Sequence, residues 1–288
     1  MRSFFISALS FGLVFAGSVV LAGDDTSDRQ PHSAPPGYEL VFADEFDEGP
    51  APDAGKWSFD TERNAVGWYN NELQYYSADR AENARVEDGR LIIEARRETL
   101  ADVPDHGGQK YSSARLFTKG KAAWTYGFFE VRAKLPCGRG TWPAIWMLPE
   151  DPEAQWPLDG EIDIMEHVGY DPGVIHHSVH TKASNFGKGT QKTSGHSVPT
   201  ACEQFHDYQL LWREDGLVFG VDDEPKFAFR KLREGKARWP FDEPMHLLLN
   251  VAVGGDWGGL KGVDADSFPA RMEIDHVRVY QRPQQATD

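Results

Sequence analysis

Apolar and polar side chains alternate along much of this chain with the two-residue period of a β-strand. In GFFEVRAKL (127–135), Phe129, Val131, Ala133 and Leu135 alternate with Glu130, Arg132 and Lys134, the mark of a strand buried on one face. YQLLWREDGLVFGVDDEP (208–225) reads as two strands joined by a tight turn around Glu214, Asp215 and Gly216. MHLLLNVAV (245–253) and MEIDHVRVY (272–280) predict further strands, and no long stretch keeps a helical period. The pattern predicts an all-β fold, an antiparallel sandwich of the jelly-roll kind.

The densest chemistry lies in GEIDIMEHVG (160–169), where Glu161, Asp163 and Glu166 are interleaved with Ile162, Ile164 and Met165. The two isoleucines and the flanking Gly160 and Gly169 favour a short strand. On a strand, Glu161 and Asp163 share a face, and Glu166 falls on the opposite one. A single extra residue taken up as a β-bulge near Met165 restores the parity and brings all three carboxyls to one surface. Two carboxyls about 5–5.5 Å apart serve a retaining glycosidase as nucleophile and acid/base. Asp163 between them would keep one neighbour protonated while the other stays ionised. An acidic, solvated edge strand without chemistry carries the same letters.

The first residues, MRSFFISALSFGLVFAGSVVLAG, predict a signal peptide over 1–22, cleaved after Ala22 or Gly23, with Ser18 the alternative. The apolar run from Phe4 to Leu21 is also near the length of a membrane span, so an uncleaved anchor is the alternative. A polar, Pro-containing linker is expected at 23–37, one large domain at 38–283 and a short tail at 284–288. The net charge of −15 disfavours nucleic acid and anionic membranes, which need basic patches. The two cysteines, Cys137 and Cys202, are expected to form a disulfide in an oxidising compartment. His176, His177 and His180 invite a zinc reading, yet their spacing follows no helix-based or Cys-rich zinc pattern.

The string EIDIME resembles the signature of glycoside hydrolase family sixteen, in the bulged E-x-D-x-x-E form of laminarinase-like members. GWYNNELQYYS (67–77), ENARVEDGRLIIEARRE (82–98), YSSARLFTKGKAAWTYGFFEVRAKLP (111–136) and GRGTWPAIWMLP (138–149) are similar to that family in order and spacing. So are SVHTKASN (178–185), FHDYQLLW (205–212), LLLNVAVGGDWGG (247–259) and MEIDHVRVYQ (272–281). The likeness runs from about Tyr38 to Gln281. It implies a concanavalin-like jelly roll whose concave sheet lines an open substrate cleft. It also implies a secreted, endo-acting, retaining hydrolase of β-1,3-glucan such as laminarin, working by double displacement.

By the same resemblance Glu161 is the nucleophile, Glu166 the acid/base and Asp163 the residue that tunes them. Trp142, Trp146 and Trp257 become sugar platforms. Asn71, Glu72 and Arg115 match positions that bind sugar hydroxyls, and His180 faces the acid strand. A structural calcium is implied at Glu45, Gly89 and Asp275, with no cofactor for catalysis. The expected partner is a neutral β-glucan, the acidic chain weighing against sulfated polysaccharides, and a monomer is expected. Many relatives carry a basic residue where this chain has Phe128. A mixed-linkage β-1,3-1,4-glucanase, a transglycosylase on the same acids and a non-catalytic glucan-binding lectin are the alternatives.

Overall fold

The alternation is realised as two large antiparallel sheets, with Gln74–Tyr76 and Tyr111–Ser113 forming a separate parallel pair, seen in a computed structural model that describes residues 34–232 and 235–283. The expected signal peptide, most of the expected linker and the tail at 284–288 lie outside the described residues. One sheet has eight strands. Across it run Glu224–Arg230, Gly216–Val221, His206–Arg213, Gly127–Lys134, Ala270–Gln281, Arg90–Ala95 and Ala84–Glu87, and Glu39–Asp44 pairs with Ala270–Gln281. The other has seven. Its order is Lys192–Ser197, Val174–His180, Glu161–Glu166, Thr141–Pro149, Met245–Val253, Arg115–Phe117 and Ser58–Phe59. Among the described residues the helices are short 3-10 turns at Tyr69–Asn71, Phe186–Lys188 and Ala265–Ser267. No helix among them is long and apolar enough to cross a membrane.

The core lies between the sheets because most strands turn their apolar residues to that side. Phe129, Val131 and Ala133 of one sheet and Ile145, Met147, Ile162 and Val179 of the other are all buried. Burying a large apolar side chain of this kind stabilises by about 1.5–3 kcal/mol. The expected hairpin forms with Arg213 opposite Gly216, so Glu214 and Asp215 make the turn. Met245–Val253 is buried along its whole length, as befits a strand between two others. Cys137 is bridged to Cys202 with Cα atoms 5.7 Å apart, within the usual range for a disulfide.

The polar half of Gly127–Lys134 departs from the simple half-solvated reading. Glu130 is fully buried, accepts a hydrogen bond from Gln209 Nε2 at 3.0 Å and faces His276 Nε2 at 3.3 Å. Arg132 and Lys134 reach Asp207 and Glu273 on neighbouring strands. A buried carboxylate needs such partners, and strand alternation does not reveal what the next strand supplies. Phe128 is buried and packs 6.1 Å from the Tyr280 ring.

Candidate active site

Glu161–Glu166 pairs with Thr141–Pro149 on one side and Val174–His180 on the other. Against the first, Asp163 faces Trp146 and Met165 faces Ile145, so Ile164 has no opposite number. Against the second, Asp163 faces Ser178 and Glu166 faces His176. Ile164 is therefore the extra residue of a β-bulge. Its effect is the one parity requires. Ile162, Ile164 and Met165 all enter the core, while Glu161, Asp163 and Glu166 all line one cleft over the seven-stranded sheet.

Indole donors hold the outer two acids. Trp156 Nε1 donates to Glu161 Oε2 at 2.9 Å, and Trp142 Nε1 donates to Glu166 Oε1 at 3.1 Å. His180 Nε2 stands 3.3 Å from Asp163 Oδ2 and 3.7 Å from Glu161 Oε1. The Phe186 backbone N–H points at His180 Nδ1 from 3.4 Å, which leaves Nδ1 the acceptor and puts the ring hydrogen on Nε2, toward the acids. Burial, and then the charge of Asp163, pushes Glu161 up to about 8. Burial, and then the charge of Glu161, pushes Glu166 up to about 7. Asp163 is raised well above its usual range by burial and by Glu166. Burial and mutual repulsion thus push all three carboxyls the same way, toward holding a proton.

The cleft encloses about 340 Å³. Arg115 forms its polar wall, with its guanidinium 4.7 Å from the Trp146 ring and 5.1 Å from Trp68, and Nε 3.1 Å from Asp60 Oδ2. Trp146 Nε1 donates to Asn250 Oδ1 at 2.7 Å, and Asn250 Nδ2 donates to the Tyr76 hydroxyl at 3.0 Å. Glu72 is raised by burial and accepts from Gln74 Nε2 at 2.8 Å. Trp257 packs edge-on against Trp142 at 5.4 Å and against His176 at 4.9 Å. Tyr69, Trp156 and Phe186 also line the cleft, at 60%, 43% and 50% exposure. Exposed aromatics beside hydrogen-bonding side chains suit a sugar, which offers apolar C–H faces and a hydroxyl rim.

Glu72, Arg115, Trp142 and Trp146 line this cleft with the three acids, and Trp257 abuts it through Trp142. Asn71 does not line it: its Nδ2 donates to Asp256 Oδ1 at 2.8 Å, and Asn70 lines the cleft instead. The helical turn at Tyr69–Asn71 contains Asn70 at φ 54, and sequence spacing cannot say which of two adjacent asparagines such a turn presents. The sequence pattern does not single out Trp156, Tyr76 or Asn250 as site residues. Asn250 left a signal, a lone amide inside the apolar run LLLNVAV.

The three histidines do not converge on one point. His180 meets the acids, His176 meets Trp257, and His177 turns into the core. At the residues matched to calcium, Glu45 accepts both Nε and Nη2 of Arg278 at 2.8 Å, and Asp275 Oδ2 is 2.9 Å from His276 Nδ1. Gly89 sits at φ 69 in the turn after Asp88. Glu45 thus has its carboxylate committed to a cation, which does not fit a carboxylate cage for calcium and leaves carbonyl oxygens as the donors there.

The sequence model for "Glycosyl hydrolases family 16" matches residues 71–278. A β-glucanase of Rhodothermus marinus is 51% identical over 268 residues, covering 90% of this chain and 89% of the relative. The crystal structure of a Rhodothermus marinus laminarinase superimposes with a TM-score of 0.80 at 51% identity, covering 85% of this chain and 97% of the other. SCLam, described as a non-specific endo-β-1,3(4)-glucanase, does so with a TM-score of 0.84 at 54% identity, covering 88% and 94%.

Proposed function

Given that the chain belongs to glycosyl hydrolase family 16, we propose that it is an endo-acting, retaining β-1,3-glucanase with Glu161 as nucleophile and Glu166 as acid/base. The observation that carries this reading is the bulge at Ile164, which turns three carboxyls into one aromatic-lined cleft. Glu161 attacks the anomeric carbon as the bond to the leaving oxygen breaks, and Glu166 gives that oxygen its proton. Glu166 then takes a proton from water, which attacks the same carbon and frees Glu161. The Trp156 N–H and the Nε2 side of His180 oppose the upward push of burial on Glu161, toward the ionised form that attack requires. Asp163, hydrogen-bonded to Glu161, adjusts the proton balance of the pair.

The test is release of reducing ends from laminarin by the wild type and by Glu161→Ser. Loss of orders of magnitude in the variant supports the assignment, and equal activity removes it. The name of SCLam favours a second substrate, mixed-linkage glucan, so lichenan belongs in the same assay. Export through residues 1–22 is proposed with this function, and the mass of the mature N-terminus tests it. A structural calcium resting on the Glu45 and Gly89 carbonyls with Asp275 is proposed on the same footing. It predicts a higher melting temperature in calcium than in EDTA, and equal values would discard it.

A further inference from the structure

Ile164 is the residue the bulge adds, and across from it Ile164 and Met165 together face His177. A bulge interrupts the ladder, and a backbone carbonyl in the core needs a donor. Here a side chain reaches it. His177 Nδ1 lies 2.7 Å from the Ile164 carbonyl oxygen, so Nδ1 carries the hydrogen and the carbonyl accepts it. The imidazole is fully buried, with ring centroids 5.6 Å from His196 and 5.5 Å from Phe219. Burial pushes its pKa down to about 4, which keeps the ring neutral and a single donor toward the bulge. Ile175, His177 and Val179 share the core face of Val174–His180. Burying an imidazole among apolar residues carries a desolvation cost that the bond to Ile164 offsets at Nδ1 alone, since Nε2 is buried without a hydrogen-bond partner.

We propose that His177 is a positioning residue: by holding the Ile164 carbonyl it pins the bulge, and the bulge sets the separation and orientation of Glu161 and Glu166. A bulge that migrates by one residue exchanges faces along the strand and would turn one acid toward the core. The inference rests on the reading of Glu161 and Glu166 as the reacting pair.

Gln and Met are near-isosteric and differ in the amide donor, so His177→Gln and His177→Met separate the hydrogen bond from the volume. Thermal unfolding establishes the fold of each variant. Measured next are kcat and KM on the glucan the wild type cleaves best, and the titration of the three carboxyls by NMR, which needs no substrate. The expected result is a folded H177M with kcat down about tenfold or more, KM within about twofold and displaced carboxyl titrations, while H177Q keeps kcat within about threefold. Equal kcat and equal titrations in the two variants would overturn the proposal. So would an H177M that fails to fold, because the donor would then serve the fold and not the acids. If the wild type cleaves no glucan, the β-glucanase reading falls, and the carboxyl titrations of H177M against H177Q still decide this one.

Discussion

Replacing Glu161 with Gln should make the protein more stable in mild alkali while abolishing its proposed chemistry. The Glu161 carboxyl is raised from 4.5 to about 8, first by burial and then by the charge of Asp163. The folded chain therefore holds a proton that the unfolded chain releases above 4.5. The associated stability is fully present below that value and is lost as pH rises toward 8. At about 1.4 kcal/mol per pH unit the ceiling is about 5 kcal/mol. Glu166 is itself raised partly by the Glu161 charge, so the set shares the effect, and water in an open cleft weakens it further. We expect about 2 kcal/mol. Glutamine keeps the shape and an acceptor for the Trp156 N–H, and it does not titrate. Urea unfolding at pH 5 and pH 8, followed by tryptophan fluorescence, measures the difference. The wild type should lose about 2 kcal/mol more than Glu161→Gln between the two pH values. Parallel pH dependences, or a variant less stable than the wild type at pH 8, would refute the claim that the fold holds these carboxyls against their preferred ionisation.

Trp156→Phe removes the N–H on Glu161 and keeps most of the ring. It should lower kcat about tenfold with a smaller change in KM, read from initial rates on laminarin. Arg115→Lys keeps the charge and loses the planar group between Trp68 and Trp146. It should raise KM about five- to tenfold with kcat nearly unchanged. Gly169→Ala, in the turn that follows the acid strand, places a Cβ 1.9 Å from the Gly138 carbonyl oxygen and 2.3 Å from Thr141 Oγ1. It should destabilise by about 2–4 kcal/mol in urea unfolding, because the clash is with backbone that cannot step aside.

Periodicity in the sequence reports which face a side chain takes, and where function depends on faces it was enough. The strands at 127–135, 208–225 and 272–280 follow from alternation, and the one at 245–253 from a short unbroken apolar run. The bulge follows from parity alone, since Glu161 and Glu166 are an odd number of residues apart and share a surface only if one residue is added. Parity places that residue near Met165, and register assigns it to Ile164 next door. Periodicity does not report what stands opposite. Trp156 meets Glu161 from a loop, Asn250 meets Tyr76 and Trp146 across strands, and Asn70 replaces Asn71 through the dihedral angles of one short turn.

In the sequence His177 stands out only as one of three clustered histidines that invite a metal, and the structure gives its Nδ1 the carbonyl of the bulge instead. The two irregularities have one cause. An extra residue in Glu161–Glu166 aligns the acids and at the same time takes one residue out of register with both neighbouring strands. In a core where an unmet polar group costs about 1–3 kcal/mol, a misplaced polar side chain facing a misplaced residue is the expected companion of such a bulge. A chain carrying the same acid spacing with an apolar residue at this position must satisfy that carbonyl by another donor or hold its acids less firmly.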